Sequence, residues 1–330
     1  MSDPAPCTKE DPAALISVII PCYNQAHFLA EAIDSVLAQD YPVIEIIVVD
    51  DGSYDATAVV ATDYAEVRYI HQANQGLSGA RNTGLAASRG HYLVFLDADD
   101  RITPNALRDG WTCLQEHPDC AFVSGHHRYI NADGSLRNDY RPEPIDDDPY
   151  LALLERNYIG MHATVMYTRD VFEAVGLFDT TLKSCEDYDL YLRIARDYPV
   201  YRHDHLVAEY RWHGANMTNN AARMLGSALS VLRSQWTTIN RQPEYQRAAI
   251  RGIRFWRGYF GGQVIARIHS NVRARRWHTL ATNLHILLRF VPAFLVSVRL
   301  ELILRLHTRG RKGARMQCSF RHRWWRMHGP

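Results

Sequence analysis

The stretch Ile44–Ser53, IEIIVVDDGS, sets the architecture. Ile44–Val49 is a short β-branched run of the kind covered on both faces of a parallel sheet. It leads directly into an acidic turn, Asp50-Asp51-Gly52-Ser53. Upstream, Leu15–Ile20 (LISVII) repeats the strand signal, and Phe28, Ala32, Ile33, Val36 and Leu37 between the two runs recur at helical spacing. Downstream, the pattern predicts a strand at Val67–His71, a helix at Ser78–Ser88 and a strand at Tyr92–Leu96 (YLVFL). This βαβαβαβ order predicts a right-handed, mostly parallel sheet whose ligand site lies beyond the carboxyl ends of its strands. Polar clusters fall at those ends: Pro21-Cys22-Tyr23-Asn24, Asp50-Asp51-Gly52-Ser53 and Asp97-Ala98-Asp99-Asp100.

Past residue 100 the pattern is less regular. A helix starts near Pro104, a strand covers Ala121–Ile130 before a turn at Asn131–Gly134, and Pro142–Pro149 (PEPIDDDP) reads as a polar loop. A strand is expected at 162–168, a helix at 186–197 and a strand at 206–212. Beyond about residue 222 the chain reads as helices with Arg-rich faces, ending in the basic aromatic tail Arg321–Arg326.

With 330 residues, 47% hydrophobic and 22% charged, the chain can bury a sizeable core, which excludes disorder for its bulk. The formal charge of +1 hides an asymmetry: residues 245–330 carry 18 Lys and Arg against Glu301 alone, leaving 19 bases against 35 acids before them. Cys7, Cys22, Cys113, Cys120, Cys185 and Cys318 form no C-x-x-C pair, and the first residues show no signal-peptide pattern. A reducing cytoplasmic location follows as an expectation. Arg289, Arg299, Glu301 and Arg305 interrupt the most apolar C-terminal stretch, so a spanning helix is not expected there.

Asp97-Ala98-Asp99 places two carboxylates one residue apart at a strand end, a spacing that can converge on a divalent cation with oxygen ligands, Mg²⁺ or Mn²⁺. Alone, the triplet also reads as a strand-to-helix turn with a capping Asp. Asp50-Asp51 is likewise either a turn or a carboxylate for a base or ribose, with Arg81 and Arg89 the nearest bases in sequence. Asn74–Gly84 carries glycines into a helix start but matches neither the dinucleotide nor the P-loop fingerprint. On the helix 186–197, Asp187 shares a face with Leu190, Ile194 and Tyr198, inward positions on which an acid needs a reason. Asp189 and Arg193 read as an ordinary surface pair, and Glu186 as a helix N-terminal charge.

Taken together, VIIPCYN (Val18–Asn24), IIVVDDGSYDAT (Ile46–Thr57), NQGLSGARNTGL (Asn74–Leu85), YLVFLDADD (Tyr92–Asp100), GLFDTTL (Gly176–Leu182), CEDYDLYLR (Cys185–Arg193) and YRWHGANMT (Tyr210–Thr218) strongly resemble glycosyltransferase family 2. These are inverting nucleotide-sugar transferases of GT-A fold. The resemblance covers roughly residues 14–220. It implies an α/β, Rossmann-like, mostly parallel central sheet flanked by helices, with the basic helical extension beyond it. With it, the chain is expected to comprise a flexible N-terminus (1–13), a nucleotide-sugar-binding half (14–110), an acceptor-binding and catalytic-base half (111–222) and, outside the resemblance, the helical basic region 223–330.

By position, the resemblance implies that Pro21 and Tyr23 border the base pocket, Asp51 binds uracil or ribose, and Arg81 contacts the nucleotide. Asp97 would contact ribose or sugar. Asp99 would ligate Mn²⁺ or Mg²⁺ on the diphosphate, with His213 holding metal or diphosphate, while Asp100 supports the turn. Asp187 matches the catalytic base, and Glu186 would orient acceptor or base. The implied reaction is metal-dependent transfer, with inversion, from a nucleotide sugar, a UDP-sugar first, to a saccharide or lipid-linked saccharide in cell-surface polysaccharide or glycolipid synthesis.

A nucleotide-sugar-binding protein without catalysis and a sugar nucleotidyltransferase are the alternative readings. The first is disfavoured by Asp99, Asp187 and His213 occurring together, the second by Pro21–Asn24 where a Gly- and Arg-rich loop is expected. Residues 267–330 combine apolar helical stretches with Arg and His, which predicts either a peripheral contact with an anionic membrane surface, on the inner face of the cytoplasmic membrane, or packing on the catalytic core. No nucleic-acid module accompanies the charge, and no nucleic-acid partner is expected.

Overall fold

The computed structural model describes residues 14–138 and 148–273. Residues 1–13, most of the 142–149 loop, the apolar stretches after 273, the Arg321–Arg326 tail, Cys7 and Cys318 lie outside the described residues, as does nearly all of the expected membrane-contacting region 267–330. The chain divides into two compact units, 1–144, 159–181 and 193–213 in the first, and 145–158, 182–192 and 214–330 in the second.

The first unit is built on one sheet. Its parallel core is β1 (Ile16–Cys22), β2 (Ile44–Asp50), β3 (Val67–His71) and β4 (Tyr92–Phe95), in the order β3-β2-β1-β4. β1 is buried along its whole length, which is why its sequence shows no polar alternation. Between these strands run α1 (Ala26–Leu37), α2 (Thr57–Thr62) and α3 (Leu77–Ala87). Gly84 lets α3 lie directly on β1 and β2, since a Cβ there would fall 2.3 Å from Ile19 Cγ2.

Beyond β4 the sheet continues through β8 (Val165–Thr168), β6 (Phe122–Asn131), β9 (Val200–Trp212) and β5 (Arg101–Ile102), with β7 (Leu136–Asn138) paired to β6. β8 is antiparallel to both β4 and β6, and β6 is parallel to β9. β9 therefore points the same way as β1 and β4, and its last residues reach the edge where the polar clusters stand. α4 (Ala106–Glu116) and α6 (Asp170–Val175) belong to the same unit.

Several expectations are corrected. The strand expected at 162–168 is a 3₁₀ turn at His162–Thr164 followed by only four strand residues, because the Thr164 hydroxyl bonds the Met161 carbonyl (2.7 Å) and offers the backbone a local partner. β9 starts at Val200 rather than 206. Tyr198 lies past the end of α7 (Glu186–Asp197) and is 38% exposed, so the inward stripe of that helix ends at Ile194. Asp189 is buried, and Arg193 donates to the carbonyls of Val175 (2.7 Å) and Leu177 (2.9 Å). The expected pair is therefore not an ordinary surface one, since Asp189 is buried, and Arg193 also serves carbonyls that the end of α6 leaves in need of donors. Arg89 pairs with Glu45 across from the start of β1, at the opposite end of the strands from the acidic turns.

The second unit is helical. α5 (Pro149–Glu155), the start of α7, α8 (Ala221–Ser234) and α9 (Pro243–Arg273) supply it, with Ala221, Leu225, Leu229, Phe260, Val264 and Ile268 forming an apolar cluster. Gly252 on α9 takes the Leu154 carbonyl of α5 at close range; a Cβ would sit 2.0 Å from that oxygen. Among the described residues, the Arg-bearing helices expected beyond 222 are α8 and α9. Among the described residues no helix is long and apolar enough to cross a membrane.

Candidate functional site

At the carboxyl edge of the first unit, two loops are laced together. Asn24, in the left-handed region at φ 54°, bonds its N–H to Ser53 Oγ (2.9 Å), and its Oδ1 accepts from Tyr54 N (3.0 Å). Asp50 is spent on the turn, its Oδ1 accepting Ser53 N (2.8 Å) and its Oδ2 the Tyr69 hydroxyl (2.7 Å). Asp51 is buried, and its carboxylate takes Gln72 Nε2 (2.7 Å), Gln75 N (2.8 Å) and Gly76 N (2.8 Å). It anchors the loop before α3, whose Gly76 needs a φ of +81°.

Tyr23 is 48% exposed and meets Tyr54, 85% exposed, edge to face at 6.3 Å. Pro21 lies buried in β1, two residues before Tyr23. Tyr54 was not singled out in the sequence; its place one residue after the acidic turn is the signal that could have found it. Burial pushes the Cys22 thiol up to about 11, so it stays protonated and offers no nucleophile.

The second cluster joins β4 to β9. Arg81, buried at 2% exposure, donates Nη2 to Asp97 Oδ1 at 2.8 Å and lies over the Phe178 ring. Asp99 Oδ2 and His213 Nε2 stand 2.8 Å apart. The His213 ring packs on Phe28, centroids 5.1 Å apart. Asp100 is buried and accepts the Arg211 N–H at 2.7 Å. Burial, then the neighbouring Asp99 and Asp97, hold its carboxyl well above the usual range.

This edge thus brings Pro21, Tyr23, Asp51, Arg81, Asp97, Asp99 and His213 into one unit. Asp187 and Glu186 belong to the second, in the first turn of α7. Glu186 is buried there and Asp187 half-buried, its Oδ1 accepting Tyr188 N (2.7 Å). Cys185, immediately before them, is held at φ 63°, a costly conformation for a residue other than glycine. Burial, followed by the Asp187 and Glu186 carboxylates, keeps its thiol well above the ordinary range.

Among the described residues no group of three or more His, Cys, Asp or Glu side chains forms a complete metal cage. The Asp99–His213 pair fits a different kind of site, in which one or two protein ligands share a cation with substrate phosphates, the usual arrangement for Mg²⁺.

Residues 17–176 match the family model described as Glycosyl transferase family 2. An uncharacterized glycosyltransferase of Rickettsia prowazekii is 34% identical over 220 residues, covering 64% of this chain and 68% of that protein. The Staphylococcus aureus TarS fragment 1–349, solved in complex with UDP, superposes with a TM-score of 0.56 at 19% identity over 72% of this chain and 70% of that one. The mannosyltransferase PcManGT of Pyrobaculum calidifontis, solved with GDP-Man and Mn²⁺, gives 0.58 at 19% identity over 90% and 86%. Both share the mostly parallel, helix-flanked sheet of the GT-A fold. The chain belongs to glycosyltransferase family 2.

Proposed function

We propose that this enzyme transfers a sugar, with inversion, from a nucleotide sugar to a hydroxyl of a saccharide or lipid-linked saccharide. The observation that carries the reading is the convergence, at the carboxyl edge of a parallel sheet, of the Arg81–Asp97 pair (2.8 Å) and the Asp99–His213 pair (2.8 Å). TarS has been solved with UDP and with UDP-GlcNAc, and PcManGT with GDP-Man, which supports a nucleotide-sugar donor and puts UDP-sugars first.

The exposed rings of Tyr23 and Tyr54, with Pro21 bordering the pocket, form the rim against which a base stacks. Asp51 shapes the floor, fixing the 72–76 loop through three hydrogen bonds while it offers its remaining acceptor capacity to base or ribose. Asp97, oriented by Arg81, receives ribose or sugar hydroxyls. Asp99 and His213 would hold Mn²⁺ or Mg²⁺, which when bound neutralises charge on the departing diphosphate. Asp187 takes the proton of the acceptor hydroxyl as its oxygen bonds to the anomeric carbon and the sugar–phosphate bond breaks on the opposite face. Glu186 orients the acceptor or the base. A single displacement inverts the anomeric centre.

The basic C-terminal end supports a lipid-linked acceptor and a peripheral position on an anionic membrane surface. Within the described residues, α9 exposes Arg247, Ile250, Arg251 and Arg254, a basic face with an apolar residue among the cations. A thermal-shift screen of UDP- and GDP-sugars with and without Mn²⁺ tests the donor class, because binding to the folded state raises its melting temperature. Stabilisation by at least one nucleotide sugar that grows with Mn²⁺ is expected; no shift with any of them would overturn the reading.

A further inference from the structure

Arg211 is fully buried, its side chain 0% exposed, yet it is a charged group. Its Nε donates to the Asp99 carbonyl (2.8 Å), Nη1 to the Ala132 carbonyl (2.9 Å) and Nη2 to Glu31 Oε2 (2.7 Å). Its backbone N–H donates to Asp100 Oδ1 (2.7 Å), and the guanidinium lies 4.7 Å from the centroid of Phe28, the ring that also backs His213. Two residues further on, His213 meets the carboxylate of the same Asp99. Asp99 is therefore gripped at both ends from the end of β9, its backbone by Arg211 and its side chain by His213 just past the strand.

Desolvating a guanidinium is costly, and partners that only repaid that cost could lie anywhere. Here Glu31 on α1 supplies the countercharge, and the other two partners are the turn that carries Asp99 and the hairpin turn beside it. We propose that Arg211 is a positioning residue that presets the Asp99–His213 pair for the cation and diphosphate before ligand arrives. The inference rests on the donor and metal reading above. It goes further by giving the assembly of that site to a residue that touches neither ligand. Behind Arg211 the charges continue: Glu31 also accepts from Arg101, Arg101 bonds Glu209, and Glu209 accepts from Arg128. Arg128 thus shares the string of charges without touching Asp99 or Asp100.

The test follows Mn²⁺ uptake in the presence of UDP by the loss of the free-Mn²⁺ electron paramagnetic resonance signal, beside calorimetry of UDP alone. Arg211→Lys keeps the charge but loses the planar fork that reaches the Asp99 and Ala132 carbonyls together. It should weaken Mn²⁺ uptake with UDP by about tenfold or more, the usual effect of removing a group that orients a metal ligand. UDP binding without metal should stay near the wild-type value, and Arg128→Met should take up Mn²⁺ as the wild type does. Glu31→Gln, at a half-exposed position, loosens one arm without removing the guanidinium and should give a smaller loss of the same kind; it decides the matter if Arg211→Lys does not fold. Wild-type uptake by folded Arg211→Lys, or by Glu31→Gln in its stead, overturns the inference and leaves the donor reading standing, as does an equal loss in Arg128→Met. Absence of Mn²⁺ uptake by the wild type with UDP overturns the metal reading and the inference with it.

Discussion

Replacing Arg81 with Met tests how the Asp97–Asp100 turn is held. The guanidinium is 2% exposed and its Nη2 lies 2.8 Å from Asp97 Oδ1, whereas the Asp97 side chain is 35% exposed. Removing one partner of a fully buried pair costs about 3–5 kcal/mol, because the remaining charge is left without compensation. Water reaches a third of Asp97 and takes over part of that role, so a loss of about 2–3 kcal/mol is expected for Arg81→Met. The remaining charge also stands beside Asp99 and Asp100, two more carboxylates on the same turn. Adding Asp97→Asn removes the stranded charge, and the double variant should be more stable than the sum of the single losses by about 1 kcal/mol or more. Urea unfolding of the wild type, both single variants and the double variant, compared at unchanged m, measures this cycle. If Arg81→Met unfolds within about 0.5 kcal/mol of the wild type, or if the losses add, the pair is not what fixes the turn.

Other expectations concern strain, packing and pH. At Cys185, φ 63°, glycine should be tolerated within about 1 kcal/mol whereas Cys185→Val should cost more than about 2 kcal/mol, as read by chemical denaturation; equal stability of the two variants would count against a strained backbone before Asp187. Gly84→Ala puts a Cβ 2.3 Å from Ile19 Cγ2 and should destabilise by about 1–3 kcal/mol, and an unchanged unfolding midpoint would refute the close approach of α3 to the sheet. His127 is lowered to about 4 by burial and then by His126, and His203 to about 4 by burial and then by His205 and His126. Both stay neutral in the fold and take up protons on unfolding, so their contribution is complete above the ordinary histidine range and is lost as pH falls towards 4. For the buried His127 the slope is at most about 1.4 kcal/mol per pH unit, and His127→Gln should flatten stability measured from pH 7 to 4.5; an unaltered slope would contradict the assignment.

The parallel half of the sheet was legible because strands buried on both faces are written as nearly continuous apolar runs, and Leu15–Ile20, Ile44–Val49 and Tyr92–Leu96 are such runs, interrupted only by Ser17 and Glu45, which bond each other. The acidic turns could be found, but not the use made of each carboxylate. Asp51 takes its three donors from a loop more than twenty residues on, and no local pattern announces that. Arg211 was legible only as a flank of His213, since its partner Glu31 lies 180 residues away in sequence. Two-residue β5 has no periodicity to detect; its register is set by Arg101 facing Glu209 across the pair and bonding it at 2.8 Å. Asp189 and Arg193 show the reverse case, in which an i, i+4 spacing reads as a surface pair while the fold buries Asp189 and gives Arg193 carbonyls at the end of α6 as well.

The proposed role of Asp187 as the base of a sugar transfer from a nucleotide donor is decided by measuring donor affinity and nucleoside diphosphate release in the wild type and in Asp187→Asn side by side. The substitution keeps size and shape and removes only the proton acceptor. Donor affinity should stay within about twofold while turnover falls by about 10²–10⁴-fold, the usual share of a general base. Turnover by Asp187→Asn close to that of the wild type would remove Asp187 from the role of base.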